Sequence, residues 1–366
     1  MNHTHLIVGN SRDYHAAAVR WALRRLGQDA IIWDGISADA DGRLTVDFHG
    51  LGRLRLGDRE LGWFRSVWFR RQIPFKEVDG AHPDAREFIH QELADAHLSF
   101  CASVEAMSDF VVGGERTRRA ASKAHQLRVA TEVGFRIPRT LISNHYPDVM
   151  RFAADTDRLL VKHFAPHYFI SRSSGASRAV GPSIVSPDDL SPEKVEVCPC
   201  IYQQYIEKKY ELRVTVIGNR VYAAKLSSKA GDELLDWRPA YGSGRLDVEP
   251  FTLDAATTPL ISALMAQLGL HYGCIDLAMD GSGEMVFFEI NPGGQFLFIE
   301  EKLRQFPLLY AFASMLSAQG PSFRMDENVG ASINMDEFEA SREFDEWRSV
   351  YDSNASRNPK FVTFVQ

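Results

Sequence analysis

Residues 273–291 read GCIDLAMDGSGEMVFFEIN and hold the pattern that decides the fold. Two apolar runs flank the turn sequence Asp280-Gly281, and this arrangement is typical of a β-hairpin. Asp276 lies in the middle of the first predicted strand, while Glu289 and Asn291 share one parity near the end of the second. Because side chains alternate along a strand, all three can point to one face of the hairpin.

These three side chains offer the oxygen ligands that a magnesium ion prefers. Mg²⁺ demands octahedral oxygen ligands, keeps several waters, and is bound through one or two carboxylates plus substrate phosphates. The alternative is that Asp276 and Glu289 pair with buried donors or basic residues, and for an isolated pair of carboxylates this would be the preferred interpretation. Burying two carboxylates without cations is costly, so the choice depends on which cations the fold brings near.

Three cations elsewhere in the chain favour the interpretation as a metal and phosphate site. Lys123 lies on a predicted helix, Lys162 in an apolar predicted strand, and Arg213 in a predicted antiparallel meander. A lysine inside an apolar strand either extends to solvent or meets a buried anion. The small-residue loop at residues 171–177 could cover phosphates with its backbone amides, and a generic surface loop is the alternative.

The N-terminal part of the chain has an α/β pattern. Successive apolar, helical and apolar patterns within residues 5–33 predict a strand, a helix and a strand. Gly9-Asn10-Ser11 follows the first predicted strand but lacks the G-x-G-x-x-G spacing of a dinucleotide site, so no nucleotide is assigned there. A domain boundary is predicted near Gly113-Gly114, and one helix is predicted over residues 116–133.

Composition sets limits on the size of the fold and on its partners. With 366 residues, of which 45% are hydrophobic, the chain can form two or three domains. Its net charge of −7 argues against a general binder of nucleic acid or of anionic membranes. The four cysteines are too few for a disulfide framework, and Cys198-Pro199-Cys200 has no second pair at zinc spacing. Without a signal sequence or an apolar run of roughly 20 residues, we expect a cytoplasmic protein that does not enter a membrane.

In chain order, these residues and their neighbours resemble the motifs of ATP-grasp ligases. The matching positions are Lys123, Lys162, the loop at residues 171–177, Gln203-Gln204-Tyr205-Ile206, Glu211-x-Arg213, Asp276 and Glu289-x-Asn291. The resemblance implies an α/β (α+β) ATP-grasp fold with an N-terminal pre-ATP-grasp α/β domain. The implied divisions are a pre-ATP-grasp domain at residues 1–114, a central subdomain at 115–200, a C-terminal subdomain with the Mg-ATP site at 201–320, and an extension of unknown role at 321–366.

The resemblance also implies roles for individual residues, with ATP and two magnesium ions as cofactors. Lys123 and Lys162 would bind the phosphates of ATP, the backbone of Gln204, Tyr205 and Ile206 its adenine, and Glu211 its ribose, while Asp276, Glu289 and Asn291 would hold magnesium. ATP-grasp ligases phosphorylate a carboxylate to an acyl phosphate, which an amine or hydroxyl then attacks. Arg213 and Arg238 would stabilise the oxyanions that develop in these steps.

The position of the arginines distinguishes between groups of ATP-grasp ligases. D-alanine ligases carry an arginine two residues before the first magnesium carboxylate, where this chain has Cys274. Ribosomal-protein glutamate ligases and bacterial glutathione synthetases have an arginine in the strand after the hinge, where this chain has Arg213. This difference disfavours a D-alanine ligase.

Three further segments resemble the graspetide, or microviridin-type, peptide ligases. They are EINPGGQFLFIE at residues 289–300, ELRVTV at residues 211–216 and DWR at residues 236–238. Those enzymes join Asp or Glu side chains of a ribosomal precursor peptide to Ser or Thr hydroxyls or to a Lys amine, and so form macrocycles. The resemblance implies a precursor peptide, with a leader and an acidic core, as the substrate. For Phe296 and Phe298 an ordinary core role is the alternative.

Arg70 and Arg71 are candidates to bind the acidic core, together with Arg213 and Arg238. A solvated or structurally paired arginine doublet is the alternative for Arg70 and Arg71.

Two other functions stay open: a ligase that acts on small molecules or on a protein tail, and a noncatalytic ATP-binding scaffold. The intact metal and lysine positions argue against a scaffold. Whether the protein is a homodimer also stays open.

Overall fold

The computed structural model describes residues 4–37, 42–47, 53–71, 82–156, 158–164, 167–170, 177–231 and 237–355. Residues 171–176 of the predicted phosphate-covering loop, and Asp236, lie outside this set. Within the set, no helix has the length and apolar character that crossing a membrane requires.

The N-terminal part of the chain is built on a parallel sheet. Its elements are β1 (Thr4–Val8), α1 (Tyr14–Arg25), β2 (Ala30–Trp33), β3 (Leu44–Asp47), β4 (Arg53–Leu56), β5 (Arg59–Leu61), β6 (Phe64–Phe69), α2 (Arg86–Ala106) and β7 (Val111–Val112). Parallel pairing gives the order β2-β1-β6-β7, and β3, β4 and β5 form a separate antiparallel sheet. Helix α1 begins where the Asp13 side chain accepts the backbone N–H of Ala16 at 3.1 Å. The predicted α/β start of the chain is confirmed.

A central antiparallel sheet follows two short helices. The elements are α3 (Gly114–Ala120), α4 (Lys123–Val133), β8 (Thr140–Ser143), α5 (Tyr146–Ala153), β9 (Leu159–Lys162), β10 (His167–Ile170), β11 (Ser177–Val180), β12 (Ser183–Val185), α6 (Pro192–Val195) and β13 (Cys200–Gln204). The sheet order is β12-β9-β13-β8, and β10 and β11 form their own hairpin. The prediction of a single helix over residues 116–133 is wrong. Ser122 has an extended backbone (φ −65°, ψ 117°), which separates α3 from α4.

The C-terminal sheet has five antiparallel strands. The elements are β14 (Lys208–Ile217), β15 (Arg220–Ser228), α7 (Trp237–Gly242), β16 (Leu246–Phe251), α8 (Thr257–Leu268), β17 (Tyr272–Asp280), β18 (Met285–Asn291), α9 (Leu297–Lys302) and α10 (Leu308–Ala318). The order is β16-β15-β14-β17-β18. The predicted hairpin of residues 273–291 is confirmed as β17 and β18.

The C-terminal extension packs back onto the first helix of the chain. It contains α11 (Glu327–Gly330), α12 (Met335–Glu339) and α13 (Arg342–Ala355). The ring of Tyr14 in α1 lies 5.6 Å from Phe338 and 5.2 Å from Trp347. Buried Glu300 accepts the backbone N–H groups of Leu309 and Met335 at 2.6 and 3.2 Å, so its carboxylate joins α10 to the extension. The described residues of the extension thus contribute to the main core, through Phe323, Ile333, Met335, Phe338 and Phe344.

The division predicted after residue 200 does not coincide with a change of sheet. Strand β13 starts at the predicted boundary after Cys200, yet it pairs with β8 and β9 of the central sheet. Helix α4 lies in the predicted central subdomain, yet its apolar residues Leu127 and Ala130 share a core with Ile261 and Leu264 of α8. Helix α4 thus belongs to the core of the C-terminal part, because its apolar face packs against the C-terminal sheet and α8.

Candidate active site

The three predicted metal ligands lie together on neighbouring strands. Strand pairing places Asp276 of β17 opposite Glu289 of β18, and Asn291 follows two residues later. The Asn291 amide Nδ2 donates to Glu289 Oε1 at 2.9 Å and to Asp276 Oδ2 at 3.3 Å. Cross-strand neighbours on one face of a sheet are close enough for such contacts. The structure therefore brings the two carboxylates and the amide into one cluster.

This cluster fits a hard divalent cation by the chemistry of its donors. Two carboxylates and one amide supply oxygen ligands of the kind that Mg²⁺ takes together with waters and phosphate oxygens. Among the described residues, no group of three or more His, Cys, Asp or Glu side chains is arranged to hold a metal ion. A metal in this cluster would therefore depend on Asn291 and on ligands from the nucleotide.

Two lysines surround Glu289. Lys123, the first residue of α4, forms an ion pair with Glu289 Oε2. Burial lowers the pKa of Lys162, at the end of β9, to about 8; the charge of Glu289 opposes this shift and that of Lys123 adds to it. Burial acts to raise the pKa of Glu289, but the charges of both lysines hold it below its ordinary value. The cations that buried carboxylates require are thus present.

A shift in strand register adds Phe288 to the cluster. The pairing of β17 with β18 shifts by one residue between Asp276 and Leu277, so β18 holds an extra residue there. The centre of the Phe288 ring lies 5.2 Å from Lys162 Nζ and 5.8 Å from Lys208 Nζ. Strict alternation does not predict this position, because a bulge leaves no mark in the hydrophobic pattern.

Glu211, the predicted ribose ligand, contacts a lysine that the sequence pattern does not single out. Lys208, the first residue of β14, forms an ion pair with Glu211, and both side chains are largely buried. Alternation along a strand would place positions 208 and 211 on opposite faces. The pairing of β14 with β17 shifts between Lys208 and Tyr210, and this irregularity lets the two side chains meet.

The predicted adenine-binding residues lie where the central sheet ends. Gln204 is the last residue of β13 and donates its backbone N–H to the Arg139 carbonyl at 2.9 Å. Tyr205 lies against the guanidinium of Arg158, whose Cζ is 3.9 Å from the ring centre, and Ile206 is buried. The three residues connect the central sheet to β14, which is the first strand of the sheet that carries the predicted metal ligands.

Both predicted catalytic arginines lie near one tryptophan, Trp237. Arg213 is 3% exposed, and its guanidinium donates to Asp276 Oδ1 at 2.6 Å and to the Gln295 carbonyl at 3.0 Å. Burial would lower the pKa of Arg213, but the Asp276 carboxylate raises it above its ordinary value. The Trp237 ring centre lies 5.7 Å from Cζ of Arg213 and 5.3 Å from Cζ of the exposed Arg238. Within the described residues, Arg213 Nε and Trp237 Nε1 are buried donors without a hydrogen-bond partner.

The arginine doublet divides into a buried and an exposed member. Arg70 is 2% exposed; its Nε donates to Asp13 Oδ1 at 3.1 Å and its Nη1 to the Gly293 carbonyl at 2.6 Å. Arg71 has about half of its side chain exposed, with its Nε 3.5 Å from Asp13 Oδ2. The prediction that Arg70 binds an acidic peptide therefore needs correction, because its guanidinium is buried and engaged within the fold. Arg71 can still reach a ligand.

The aromatic residues after Asn291 lie in the core. Phe296 is fully buried and stacks on Phe312 with ring centres 5.3 Å apart. Phe298 stacks on Trp237 with centres 4.6 Å apart. The core alternative thus describes Phe296, whereas Phe298 packs on the tryptophan that both predicted catalytic arginines approach.

Comparisons with known proteins place this architecture among solved structures. Neither a protein-family model nor a curated protein matches the chain. It is similar to a RiPP-associated ATP-grasp ligase of Chryseobacterium gregarium, solved with ADP and a leader and core peptide, at a TM-score of 0.78 and 24% identity over 88% of this chain and 100% of that one. It is also similar to the macrocyclases MdnC, bound with the precursor peptide MdnA, and MdnB, both from Microcystis aeruginosa MRC.

The likeness to both macrocyclases extends over nearly the whole of each protein. For MdnC the TM-score is 0.71 with 27% identity, and for MdnB it is 0.67 with 25% identity. Each comparison covers 86% of this chain and 99% of the macrocyclase. The predicted resemblance is confirmed: this chain has the ATP-grasp fold and the architecture of graspetide-type ATP-grasp ligases.

Proposed function

We propose that this protein is an ATP-dependent ligase that activates Asp or Glu side chains of a ribosomal precursor peptide and joins them to Ser or Thr hydroxyls or Lys amines, forming macrocycles. One observation carries the proposal: Asp276, Glu289 and Asn291 form a single cluster with Lys123 and Arg213 on an ATP-grasp fold. The likeness to MdnC, which was solved with a precursor peptide, supports a peptide substrate.

The lysines and carboxylates would bind Mg-ATP. Asp276, Glu289 and Asn291 would hold magnesium, two ions in our proposal, which neutralise phosphate charge during transfer. Lys123 and Lys162 already lie beside a carboxylate, so both can bind phosphate oxygens in its place. Adenine would lie at Gln204, Tyr205 and Ile206, and ribose at Glu211.

The reaction would proceed through an acyl phosphate. The terminal phosphoryl group of ATP passes to a carboxylate oxygen of the peptide and ADP leaves. A hydroxyl or amine of the same peptide then attacks the carbonyl carbon, phosphate leaves, and the attacking group loses its proton. Arg213 would stabilise the oxyanion of each step, because Asp276 and the Gln295 carbonyl hold its guanidinium in a buried place. Arg238, an exposed residue whose Cζ lies 5.3 Å from the centre of the Trp237 ring, would bind the peptide carboxylate.

Arg71 would contribute to binding an acidic core peptide. It follows β6 at the carboxyl end of the parallel sheet, the edge at which open α/β sheets bind ligands. Arg70, its neighbour in the sequence, contacts the loop after Asn291. A cytoplasmic location also belongs to the proposal. So does a homodimer, which light scattering of the purified protein would test.

Mass spectrometry tests the proposed reaction directly. The protein is incubated with Mg-ATP and a short peptide encoded beside its gene that carries a Thr- and Glu/Asp-rich C-terminal end. Loss of the mass of one water per linkage, with ADP release, is the expected result. Asp276→Asn should abolish it, whereas Glu249→Gln, on the edge strand β16 of the same sheet, should not. Mass gain by whole residues would instead establish a tail-extending ligase, and peptide binding without ADP release would establish a scaffold.

A further inference from the structure

The loop between β18 and α9 accepts hydrogen bonds from, and donates them to, side chains of the N-terminal part of the chain and of the C-terminal sheet. This loop, residues 292–296, starts directly after Asn291. Its successive carbonyls accept hydrogen bonds from Arg70 Nη1 at Gly293 (2.6 Å), Tyr272 Oη at Gly294 (2.6 Å) and Arg213 Nη2 at Gln295 (3.0 Å). The backbone N–H groups of Phe296 and Leu297 both donate to His15 Nε2, at 3.0 and 3.3 Å.

Two of these side chains belong to the N-terminal part of the chain and are joined by a carboxylate. Asp13 Oδ1 lies 3.1 Å from Arg70 Nε and 3.9 Å from His15 Nδ1. His15 is 7% exposed and Arg70 2% exposed, so the hydrogen bonds that these two side chains form with the loop are protected from water. Residues that lie far apart in the sequence thus form one buried network, Asp13, His15 and Arg70, which we call the loop anchor.

His15 can accept two N–H groups only while Nε2 carries no proton. Burial, with the nearby charge of Arg70, lowers the pKa of His15 to about 3, so its imidazole stays neutral at physiological pH. The position of Asp13 near Nδ1 favours the tautomer with the proton on Nδ1. The two backbone N–H groups therefore need an acceptor at Nε2, and the neutral imidazole with its proton on Nδ1 provides one.

The anchored loop has little freedom to move independently of the cluster. At one end it continues from Asn291, whose amide contacts Asp276 and Glu289. At the other end the Gln295 carbonyl contacts Arg213, which pairs with Asp276. A Cβ at Gly294 would lie 2.8 Å from Cys274 Sγ, so the loop is packed tightly against β17. A displacement of the loop would therefore move the metal-ligand cluster as well.

We propose that Asp13, His15 and Arg70 are positioning residues that hold the loop, and through it Asn291 and Arg213, in the arrangement that binds magnesium. The inference rests on the proposed function, because it takes the cluster as the metal site. Groups that hydrogen-bond metal ligands commonly contribute about 10- to 100-fold to metal affinity. The loop anchor acts one step further out, through the backbone after Asn291, so we expect the lower end of that range. The loop anchor is the part of the N-terminal domain that would make this contribution.

The test measures how ADP binding depends on magnesium in full-length variants. ADP binding is followed by calorimetry while the free Mg²⁺ concentration is varied, without peptide. His15→Leu, which removes the acceptor, should raise the Mg²⁺ concentration at half-maximal binding by about 10-fold. His15→Gln offers an oxygen acceptor in a similar place and should restore most of the wild-type value. Arg70→Gln, a second route to a loosened loop, should shift the dependence in the same direction as His15→Leu.

Ser66→Ala is the matched control. It removes a buried hydrogen bond to His5 in the same parallel sheet, at 2.7 Å, without touching the loop. It should lower the unfolding temperature and leave the Mg²⁺ dependence unchanged, which separates positioning from general stability. If His15→Leu and Arg70→Gln fold and show the wild-type Mg²⁺ dependence, or if His15→Gln is as impaired as His15→Leu, the inference is wrong. Wild-type protein that shows no Mg²⁺-dependent ADP binding would refute the proposed function itself, and the inference with it.

Discussion

The β17–β18 hairpin carries carboxylates at both of its ends. The groups that hydrogen-bond to these carboxylates or form ion pairs with them differ between the two ends. At the turn end, Asp280 Oδ1 accepts the backbone N–H of Ser282 at 2.9 Å, the Ser282 hydroxyl at 2.6 Å and the backbone N–H of Glu284 at 2.9 Å. Its other oxygen pairs with Arg136. Most of the donors to Asp280 therefore come from the turn itself.

At the open end, the carboxylates are held by side chains from other strands and helices. Asp276 pairs with Arg213 of β14, and Glu289 pairs with Lys123 of α4. Asn291 contacts both carboxylates through its amide. Long cationic side chains can exchange a carboxylate for a phosphate, whereas backbone donors two or four residues away cannot leave. The source of the donors, more than burial, thus distinguishes the carboxylates that we propose to bind a ligand from a structural carboxylate.

The largest effect is expected from Glu289→Gln at the open end. The substitution removes a proposed metal ligand and the charge that balances Lys123 and Lys162. Metal ions supply several kcal/mol of charge stabilisation in such reactions, and about 4 kcal/mol corresponds to about 1,000-fold in rate. ADP release in the presence of peptide should fall by about that factor. A variant with near wild-type turnover would show that Glu289 is a structural carboxylate, like Asp280.

The next effect is expected from Arg213→Gln. Removing one preorganised donor to a developing oxyanion costs about 100-fold or more in kcat. We expect that loss in single-turnover peptide cyclisation, with a smaller change in the KM for ATP. Arg136→Gln is the matched control, because Arg136 also pairs with a carboxylate of β17 but is nearly half exposed at the turn end. Equal losses in both variants would mean that the effect comes from hairpin stability.

An intermediate effect concerns the proton on Lys162. Its pKa is lowered to about 8, chiefly by burial, whereas lysine ordinarily titrates near 10.5. If the phosphates of ATP restore the ordinary pKa, nucleotide binding at pH 8 takes up about half a proton, and affinity falls as the pH rises above 8. Calorimetry in two buffers of different ionisation enthalpy measures this uptake. Lys162→Arg stays charged, so it should bind nucleotide without the uptake, and persistence of the uptake in that variant would assign it to another group.

How much of this the sequence could predict depends on whether the relevant contact is local. The hairpin and the side-chain parity of Asp276, Glu289 and Asn291 follow from local patterns, and their convergence is seen in the structure. The bulges that bring in Phe288 and Lys208 are not local in this sense, because register depends on the partner strand. Local patterns also could not predict that Arg70 is buried and contacts Asp13 and Gly293, because these partners lie 57 and 223 residues away in the sequence.

The smallest effect on activity is expected from Asp280→Asn at the turn end. Turnover should stay within about twofold of wild type, a change of less than about 0.5 kcal/mol in the activation free energy. The reason is that Asp280 is held by the turn and by Arg136, and not by the cations that contact Asp276 and Glu289. Stability should change instead. Hydrogen bonds from Ser282, Glu284 and Arg136 hold the pKa of Asp280 below its ordinary value of 3.8. A carboxyl group with a depressed folded-state pKa stabilises the protein above its unfolded-state pKa, and this contribution is lost as the pH falls through the folded-state value. Thermal unfolding should therefore show a gap between wild type and Asp280→Asn at pH 7 that narrows below about pH 3.8. A gap that persists unchanged in acid would mean that the packing of the turn, and not the charge of Asp280, holds this end of the hairpin.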